Sequence, residues 1–361
     1  MIGIIDADLI GRKKHRFPNL ACMKISSYYK QRGEDIRLLL DYSNLNKFDK
    51  VYISKVFTDT PIPVLTAKNI ICGGTGFYYD QAPPLSYEIE HSMPDYNLYN
   101  EWLSSQEYKH NEIKFYTDYS IGFLTRGCFR HCEYCVNKNY NASVVHSPLS
   151  EFYDSTRKKI CLLDDNFLAC TNWRNMLEEL QFLNKPFVFR QGLDERLLTK
   201  EKCEMLFNSK YDGDYIFAFD NIADYDVIKS KLNIIRNTTN KNIKFYVLVG
   251  FDRNNKYDMT FWRQDLFDMF ERIKLLIEYK CYPYIMRFNK YEESPYKGTY
   301  TSVARWCNQP SIFKKKTMME FIEMDKATRK NGKCSTEEYY LKIKHDIPEL
   351  VNKYYNMKMD G

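Results

Sequence analysis

The sequence predicts an α/β fold, a partial (β/α)6 TIM-like barrel preceded by a small Rossmann-like parallel domain. Short apolar runs typical of buried strands alternate with helical patterns along most of the chain, which is the order expected of parallel sheets. Polar residues follow nearly every apolar run of the longer part, as at the rim of a barrel. The 361 residues, 44% of them hydrophobic and 28% charged, are enough for about two globular domains.

The Rossmann-like domain is expected over residues 1–100. Strands are predicted at 2–6, 36–40, 50–55 and 68–72, with a helix at 20–32 that stops at Gly33. Gly73-Gly74-Thr75-Gly76 follows the fourth strand, where it either approaches a phosphate or makes a tight turn. From 78 to about 116 the periodicity breaks down around several prolines, which predicts a long connecting segment.

The partial barrel is expected over residues 117–310. Its strands are predicted at 119–125, 159–163, 186–189, 215–219, 244–249 and 282–288, and its helices at 148–158, 172–183, 199–209, 224–236 and 261–280. Asn172 and Thr199 are the expected N-caps of two of these helices. Residues 311–361 predict a C-terminal helical extension that begins with a helix at 311–330.

Composition and charge narrow the class of protein. The N-terminus reaches an acid at Asp6, and no apolar run approaches the roughly 18 residues of a membrane span. We therefore expect a cytoplasmic protein with no membrane partner. The net charge of +6 permits an anionic ligand without arguing for one. Lys314-Lys315-Lys316, near several tyrosines, either grips a nucleic acid strand or is the solvated face of a helix.

The cysteines carry the strongest signal. Eleven of them without an export signal indicate a reducing compartment. Cys128, Cys132 and Cys135 form a C-x3-C-x2-C pattern after the first barrel strand, and the other eight are scattered as expected of core residues. A 4Fe–4S cluster normally takes four cysteines, so three thiolates would leave one iron open to another ligand. Structural zinc is the alternative, with His131 or His146 as a fourth ligand.

This pattern, with an aromatic residue before its last cysteine, resembles that of the radical S-adenosylmethionine (radical SAM) enzymes. The resemblance covers about residues 117–310. It implies that Cys128, Cys132 and Cys135 hold three irons of a 4Fe–4S cluster, while S-adenosylmethionine (SAM) binds the fourth. It also implies an external one-electron reductant, flavodoxin- or ferredoxin-like. A 5′-deoxyadenosyl radical would then abstract hydrogen from a substrate enclosed by the barrel.

The resemblance also implies SAM contacts at the ends of successive strands. Tyr134 matches the aromatic beside the adenine, with a core aromatic as its alternative. The second-strand turn lacks the family's usual Gly-Gly-Glu, so acidic and amide side chains are expected to meet the SAM ammonium. The candidates are Asp164, Asp165 and Asn166 for the ammonium, Asp220 for the ribose, and Val249 and Gly250 for the adenine. For each of these six, a helix cap or a turn residue is the alternative.

Two arginines and a glutamine complete the candidate site. Arg190 and Gln191 follow the third barrel strand, and Arg287 lies within the sixth between apolar neighbours. An arginine inside a barrel strand must be paired or face a ligand. Arg190 and Arg287 are therefore candidates for gripping a carboxylate or phosphate of SAM or substrate. A structural ion pair with an acidic rim residue is the alternative; Asp164, Asp165 and Asp220 are the candidates.

The first domain resembles the cobalamin-binding domain that precedes many radical SAM barrels. That domain carries Asp-x-His-x-x-Gly, and this chain has Asp6-x-Asp8-x-x-Gly11. Because an aspartate stands where the cobalt-binding histidine would be, that residue supplies no cobalt ligand and we expect no cobalamin cofactor; cobalamin held by packing alone is the alternative. We expect instead that this domain and the segment 78–116 close the substrate side of the barrel.

The sequence thus predicts a radical SAM enzyme acting on an unidentified substrate. Two alternatives lie within the same family, a nucleic-acid or nucleotide-modifying enzyme and a cobalamin-dependent methylase. A non-catalytic iron–sulfur or zinc-binding protein is the alternative from a different class.

Overall fold

The computed structural model describes residues 1–328 and 334–359. It has the predicted mixed α/β character with parallel sheets. The chain forms two compact units, Met1–Gln191 and Gly192–Gly361, called unit 1 and unit 2 below. The domain boundaries expected near residues 116 and 310 are the limits of the predicted partial barrel, and they stay a prediction.

Unit 1 begins with the predicted four-stranded parallel sheet. Its elements are β1 (Ile2–Asp6), α1 (Ala7–Gly11), α2 (Leu20–Lys30), β2 (Ile36–Leu38), β3 (Lys50–Ser54) and β4 (Ile70–Gly73), with strand order β2-β1-β3-β4. All five residues of β1 are buried, as expected of a central strand covered on both faces. Helix α2 starts at Leu20 because the Asn19 side chain caps it, accepting from the Cys22 N–H.

The segment after β4 is more than a connection. It contains α3 (Thr75–Tyr78), α4 (Tyr87–Glu90), α5 (Asn100–Ser104) and α6 (His110–Thr117). Tyr99, Trp102 and Tyr116 are buried in one core cluster with Met23 and Ile25 of α2. The periodicity search missed this part of the core because scattered aromatic residues form it, on helices too short to show a repeat.

The second sheet of unit 1 holds the first half of the predicted barrel strands. In chain order the elements are β5 (Tyr119–Gly122), β6 (Thr125–Arg126), β7 (Val144–Val145), β8 (Lys159–Leu162), α7 (Trp173–Phe182) and β9 (Phe187–Phe189). Strands β5, β8 and β9 are parallel in that order, whereas β6 and β7 form an antiparallel ribbon. The predicted strand 119–125 is therefore two strands.

Two local predictions in this region are wrong. The helix expected at 148–158 is a single 3-10 turn at Leu149–Glu151, since Asp154 instead forms a tight turn by accepting from the Thr156 N–H at 2.9 Å and hydroxyl at 2.7 Å. Asn172 precedes α7 but makes no N-cap bond. Its side-chain oxygen accepts from Asn175 Nδ2 at 2.7 Å.

Unit 2 alternates strands and helices as predicted. It contains α8 (Lys200–Phe207), β10 (Tyr215–Ala218), α9 (Tyr225–Thr238), β11 (Ile243–Val249), α10 (Met259–Glu278) and β12 (Tyr282–Arg287), with parallel strand order β10-β11-β12. The N-cap expected at Thr199 is confirmed, because its hydroxyl accepts from the Lys202 N–H at 3.2 Å. The six predicted strands thus form two three-stranded parallel sheets, one in each unit. Their closure into a single barrel stays a prediction.

The described residues after β12 are helical. The helices are α11 (Lys297–Cys307), α12 (Pro310–Phe313), α13 (Met318–Ala327), α14 (Ser335–Asp346) and α15 (Pro348–Tyr354). The helix expected at 311–330 is interrupted where Thr317 and Glu320 form a capping box that starts α13. Residues 329–330 of that prediction lie outside the described residues. Within 1–328 and 334–359, no helix is both long and apolar enough to cross a membrane.

Candidate functional site

The three clustered cysteines lie on one loop with a closed base. Residues 127–143, called the cysteine loop, connect β6 to β7, and these strands pair through Thr125 with Val145 and Arg126 with Val144. Gly127 opens the loop at φ +91°, where a Cβ atom would lie 2.3 Å from the Ala142 carbonyl oxygen. Only glycine allows the two ends of the loop to approach this closely.

The three thiols are close enough to influence one another. Cys128, Cys132 and Cys135 are half-buried and form no disulfide, and the Cys135 N–H donates to the Cys132 carbonyl at 2.9 Å. Burial raises the pKa of the Cys135 thiol, and the neighbouring Cys132 and Cys128 raise it further. By contrast, the other cysteines are buried, apart from the half-buried Cys72.

The spacing of the ligands distinguishes a cluster from a single ion. Within the described ranges, no three His, Cys, Asp or Glu side chains are grouped as ligands of one metal ion. A zinc ion needs four ligands within about 2.3 Å of itself, whereas each cysteine of an iron–sulfur cluster binds a different iron and so stands further from the others. Of the two histidines considered as a fourth zinc ligand, His146 has both ring nitrogens near other groups, with Nδ1 2.9 Å from Ser147 Oγ and Nε2 3.5 Å from Glu90 Oε1. His131 Nδ1 lies 2.6 Å from the Lys138 carbonyl oxygen, an arrangement also found in histidines that bind a metal through Nε2.

The turn after β8 fastens the cysteine loop. Asp165 accepts from the Gly127 N–H at 2.8 Å and from Asn137 Nδ2 at 2.6 Å, so one carboxylate holds both the start and the far side of the loop. Asn166 donates from Nδ2 to the Cys128 sulfur at 3.3 Å. Two of the residues predicted to meet SAM are thus brought next to the cysteines. Both side chains make these hydrogen bonds to other residues of the protein.

Asp164 fixes the chain just before the cysteine loop. It is fully buried, and its carboxyl group accepts from the Leu124 N–H at 3.3 Å and from the Thr125 N–H and hydroxyl at 2.7 Å each. Burial raises its pKa to about 7, against these hydrogen bonds, which lower it. The interactions fix the point where the chain leaves β5 and enters β6.

We expect Asp164→Asn to flatten the dependence of stability on pH. An acid whose pKa is raised on folding binds more protons in the native state, so its contribution is present below the unfolded pKa and is lost as pH rises through about 7. Urea unfolding at about pH 5 and pH 8 measures this. The wild-type protein should lose roughly 2 kcal/mol more than the variant. The pKa of Asp6 is also raised to about 7. Because Asp6 is present in both proteins, its effect on stability cancels in the comparison. Equal losses would contradict the assignment.

The segment after β4 reaches the cysteine loop. The Tyr79 hydroxyl donates to the Tyr134 carbonyl at 3.2 Å. The Asp80 carboxylate lies 3.2 Å from Lys138 Nζ, and its backbone carbonyl accepts from Asn139 Nδ2 at 3.1 Å. These contacts place part of the predicted covering segment against the loop that carries the cysteines.

At the polar edge of the N-terminal sheet, the side chains bond to other groups of the same domain. Asp8, which stands where a cobalamin-binding histidine was sought, is buried and accepts from the Val56 N–H at 2.6 Å and from the Thr60 hydroxyl. It therefore holds the loop after β3. A Cβ atom at Gly74 (φ +98°) would lie 2.3 Å from the Lys55 carbonyl oxygen. The glycine cluster thus serves a tight turn here.

The third-strand candidates are exposed. Arg190 donates its backbone N–H to the Leu162 carbonyl at 2.8 Å, which fixes the chain as it leaves β9. Its guanidinium lies over the ring of Phe115 at 5.5 Å and near that of Phe17 at 5.9 Å. Gln191 is also exposed. Both side chains therefore have room to meet a ligand.

The remaining candidates lie in unit 2, at the ends of its strands. Asp220, after β10, accepts from the Leu248 N–H at 3.1 Å. Val249 is buried, and Gly250 (φ +75°) donates its N–H to Asp265 at 2.9 Å. Arg287 is exposed rather than enclosed, and it donates to the hydroxyls of Tyr291 at 3.1 Å and Thr301 at 3.0 Å.

Two supporting residues of α10 were missed by the sequence analysis. Arg272 is fully buried and donates to the carbonyls of Phe219, Asp220 and Leu248 at 2.8–3.0 Å, so it fixes the turns after β10 and β11 together. Asp265 bonds both Gly250 and the Tyr300 hydroxyl, the latter at 2.6 Å. The available signal was two opposite charges, seven residues apart, on the apolar face of the predicted helix.

Comparisons with known proteins give a distant likeness to a solved structure. No family model and no curated protein matches the chain. Among solved structures, the chain is similar to that of the radical S-adenosylmethionine methyltransferase TsrM from Kitasatospora setae with cobalamin and 4Fe–4S cluster bound. The similarity covers 79% of this chain and 74% of that chain, with 9% identity and a TM-score of 0.49. A likeness of this size carries no conclusion about cofactor or reaction.

Proposed function

We propose that the protein is a radical SAM enzyme in which Cys128, Cys132 and Cys135 hold a 4Fe–4S cluster. The observation that carries this proposal is the set of three half-buried cysteines, none of them in a disulfide, on one loop that is closed at Gly127 and fastened to the end of a neighbouring parallel strand. When bound with SAM, such a cluster supplies the electron that generates a radical able to abstract hydrogen. An external one-electron reductant is then required as a partner.

The chain's own contribution is to hold and shield the three sulfurs. Asp165 keeps the loop closed through Gly127 and Asn137, and the Asn166 amide donates to the Cys128 sulfur. Such a hydrogen bond stabilises a thiolate and tunes the potential of the group that it binds. The loop sits on buried Asp164 and is overlaid by the Tyr79–Asp80 contacts. This arrangement limits the access of solvent to the sulfurs.

The proposal assigns SAM to the rim residues by their chemistry. Asp165 and Asn166 offer acceptor oxygens beside the cysteines, suited to an ammonium group. Tyr134, immediately before Cys135, offers an aromatic face, and exposed Arg190 and Gln191 offer donors for a carboxylate. Asp164 is better suited to positioning, since its hydrogen bonds are to β6. In unit 2, Asp220, Val249, Gly250 and Arg287 complete the set if residues 117–310 close into the proposed partial barrel.

For the N-terminal domain we propose a covering role without cobalamin. The support is Asp8, whose carboxylate is turned inward to the loop after β3, and the contact of Tyr79 and Asp80 with the cysteine loop. An inward-facing carboxylate offers no ligand to a cobalt ion at the sheet edge.

Anaerobic reconstitution tests the enzyme proposal directly. The purified full chain is incubated with iron and sulfide, and bound metal is quantified before SAM and dithionite are added. We expect about four irons and four sulfides per chain, and release of 5′-deoxyadenosine that requires the reductant. Stoichiometric zinc with no iron uptake would overturn the proposal. A cluster that forms without any 5′-deoxyadenosine would instead support the non-catalytic iron–sulfur protein.

A further inference from the structure

A basic loop lies at the carboxyl edge of the N-terminal sheet. Residues 12–16, Arg-Lys-Lys-His-Arg, connect α1 to α2 directly after β1, and we call them the basic loop. In the order β2-β1-β3-β4, the chain leaves β1 for one neighbour and later returns to its other side at β3. Open parallel sheets bind ligands at the carboxyl ends of strands where the order reverses in this way.

The positive charge of the basic loop is largely uncompensated. Arg12 pairs with Asp59 at 2.6 Å. Lys13 and Lys14 are exposed, and among the described residues neither has an ion pair. Arg16 donates from Nη1 to the His15 carbonyl at 2.6 Å, while its Nε is buried without a hydrogen-bond partner in the described structure. The loop therefore presents at least two free ammonium groups and an incompletely bonded guanidinium.

Aromatic rings are interleaved with these charges. The Arg12 guanidinium lies 4.2 Å from the centroid of the Phe57 ring, and the His15 ring packs edge-on against the same ring at 5.6 Å. Arg16 lies over the Tyr108 ring at 4.4 Å. Phe57 is 40% exposed, so part of its ring is open to a ligand. Burial lowers the pKa of His15, so its ring is neutral near pH 7.

The basic surface continues towards the proposed reaction site within unit 1. Phe17, the next residue after the basic loop, packs against Phe115 at 4.9 Å, and the exposed Arg190 guanidinium lies near both rings. On the other side, the Phe57 carbonyl lies 2.8 Å from where a Cβ of Gly76 would be. Gly76 belongs to α3, which leads directly to Tyr79 and its contact with the cysteine loop.

We propose that the basic loop and Phe57 bind a single-stranded polynucleotide. Lys13 and Lys14 contact backbone phosphates, and a base stacks on the exposed face of Phe57. Charge alone is equally suited to an acidic protein, but an exposed ring between cations is the arrangement that recognises unpaired bases. The binding stands on unit 1 alone. The further step, that the polynucleotide is the substrate, rests on the proposed radical SAM function.

Fluorescence anisotropy with a labelled single strand of about 20 nucleotides tests the binding on the full chain. Lys13→Glu/Lys14→Glu removes the two exposed ammonium groups, and Lys229→Glu/Lys256→Glu is the matched control with the same charge change at two exposed lysines of unit 2. We expect the first variant to bind at least about tenfold more weakly and the second to bind like wild type. Two phosphate contacts predict that raising salt from about 50 to about 200 mM weakens wild-type binding by about sevenfold. Phe57→Ala should weaken it about tenfold without changing that salt dependence.

Three results would overturn the proposal. These are equal loss in both double variants, no effect of Phe57→Ala, and displacement of the strand by polyglutamate as readily as by unlabelled oligonucleotide. The last result identifies an acidic protein as the partner. If a preparation still releases 5′-deoxyadenosine but does not bind the single strand, the polynucleotide proposal is wrong and the radical SAM proposal stands. Binding without that release removes the proposed function alone.

Discussion

Replacing any one of Cys128, Cys132 or Cys135 by alanine should abolish the iron–sulfur chromophore and all SAM cleavage. Each thiolate is expected to hold a separate iron, and the loop offers no neighbouring thiol to take its place, because the other cysteines are buried or lie at Cys72 on β4. With one iron unligated, the cluster is not retained. Iron analysis and 5′-deoxyadenosine release after anaerobic reconstitution measure the effect, which we expect to be at least about a hundredfold on release.

Cys72→Ala is the matched control for these variants. Cys72 is half-buried and outside any disulfide, like the three loop cysteines, so its loss tests the effect of removing a thiol of similar exposure. We expect it to keep wild-type iron content. Retention of a full cluster by any of the three loop variants would contradict the ligand assignment.

Gly127→Ala should prevent the cysteine loop from closing. The added Cβ would lie 2.3 Å from the Ala142 carbonyl oxygen and about 3.0 Å from the Tyr140 ring. Alanine also resists the left-handed backbone at φ +91° by roughly 1–2 kcal/mol. A cost of this size lowers the closed population by about tenfold or more. We expect a matching loss of reconstituted iron, with the helix content of the protein unchanged by circular dichroism.

Gly33→Ala distinguishes the cost of the left-handed backbone from the collision of the added Cβ atom. Gly33 also has a positive φ, +78°, but a Cβ there meets nothing within 4 Å. This variant carries the backbone cost without the collision, at a turn away from the cysteines. It should be slightly less stable and load iron normally. If both variants load iron equally well, close approach at Gly127 has no part in forming the site.

The sequence predicted most strands of the parallel sheets within two residues, because buried strands are continuous apolar runs bounded by turn residues. The long segment after β4 was predicted less well. Its core residues, Tyr99 and Trp102 among them, are aromatic and irregularly spaced. Periodicity detects a helix face that repeats, so it does not reveal a core formed by single large side chains on or beside short helices.

The cysteine loop could be predicted as the candidate site because three cysteines at this fixed spacing rarely occur by chance. The roles of Asp164 and Asp165 were not legible. They are adjacent, yet one is buried beneath β6 and the other closes the cysteine loop. Which of two neighbouring carboxylates faces inward depends on the register of β8 against β5. Register is a tertiary property that a single sequence does not carry.

The hydrogen bonds of Asp165 impose an order on the biosynthesis of this protein. The carboxylate that closes the cysteine loop follows Gly127 by 38 residues and Asn137 by 28. On the ribosome, all three cysteines therefore emerge well before the strand that will hold their loop in shape. The nascent loop stays open during that interval, and its thiols are accessible to oxidants and stray metal ions. If the loop holds the proposed cluster, we expect β8 to pair with β5 before iron is loaded, because Asp165 closes the loop only once β8 is in place.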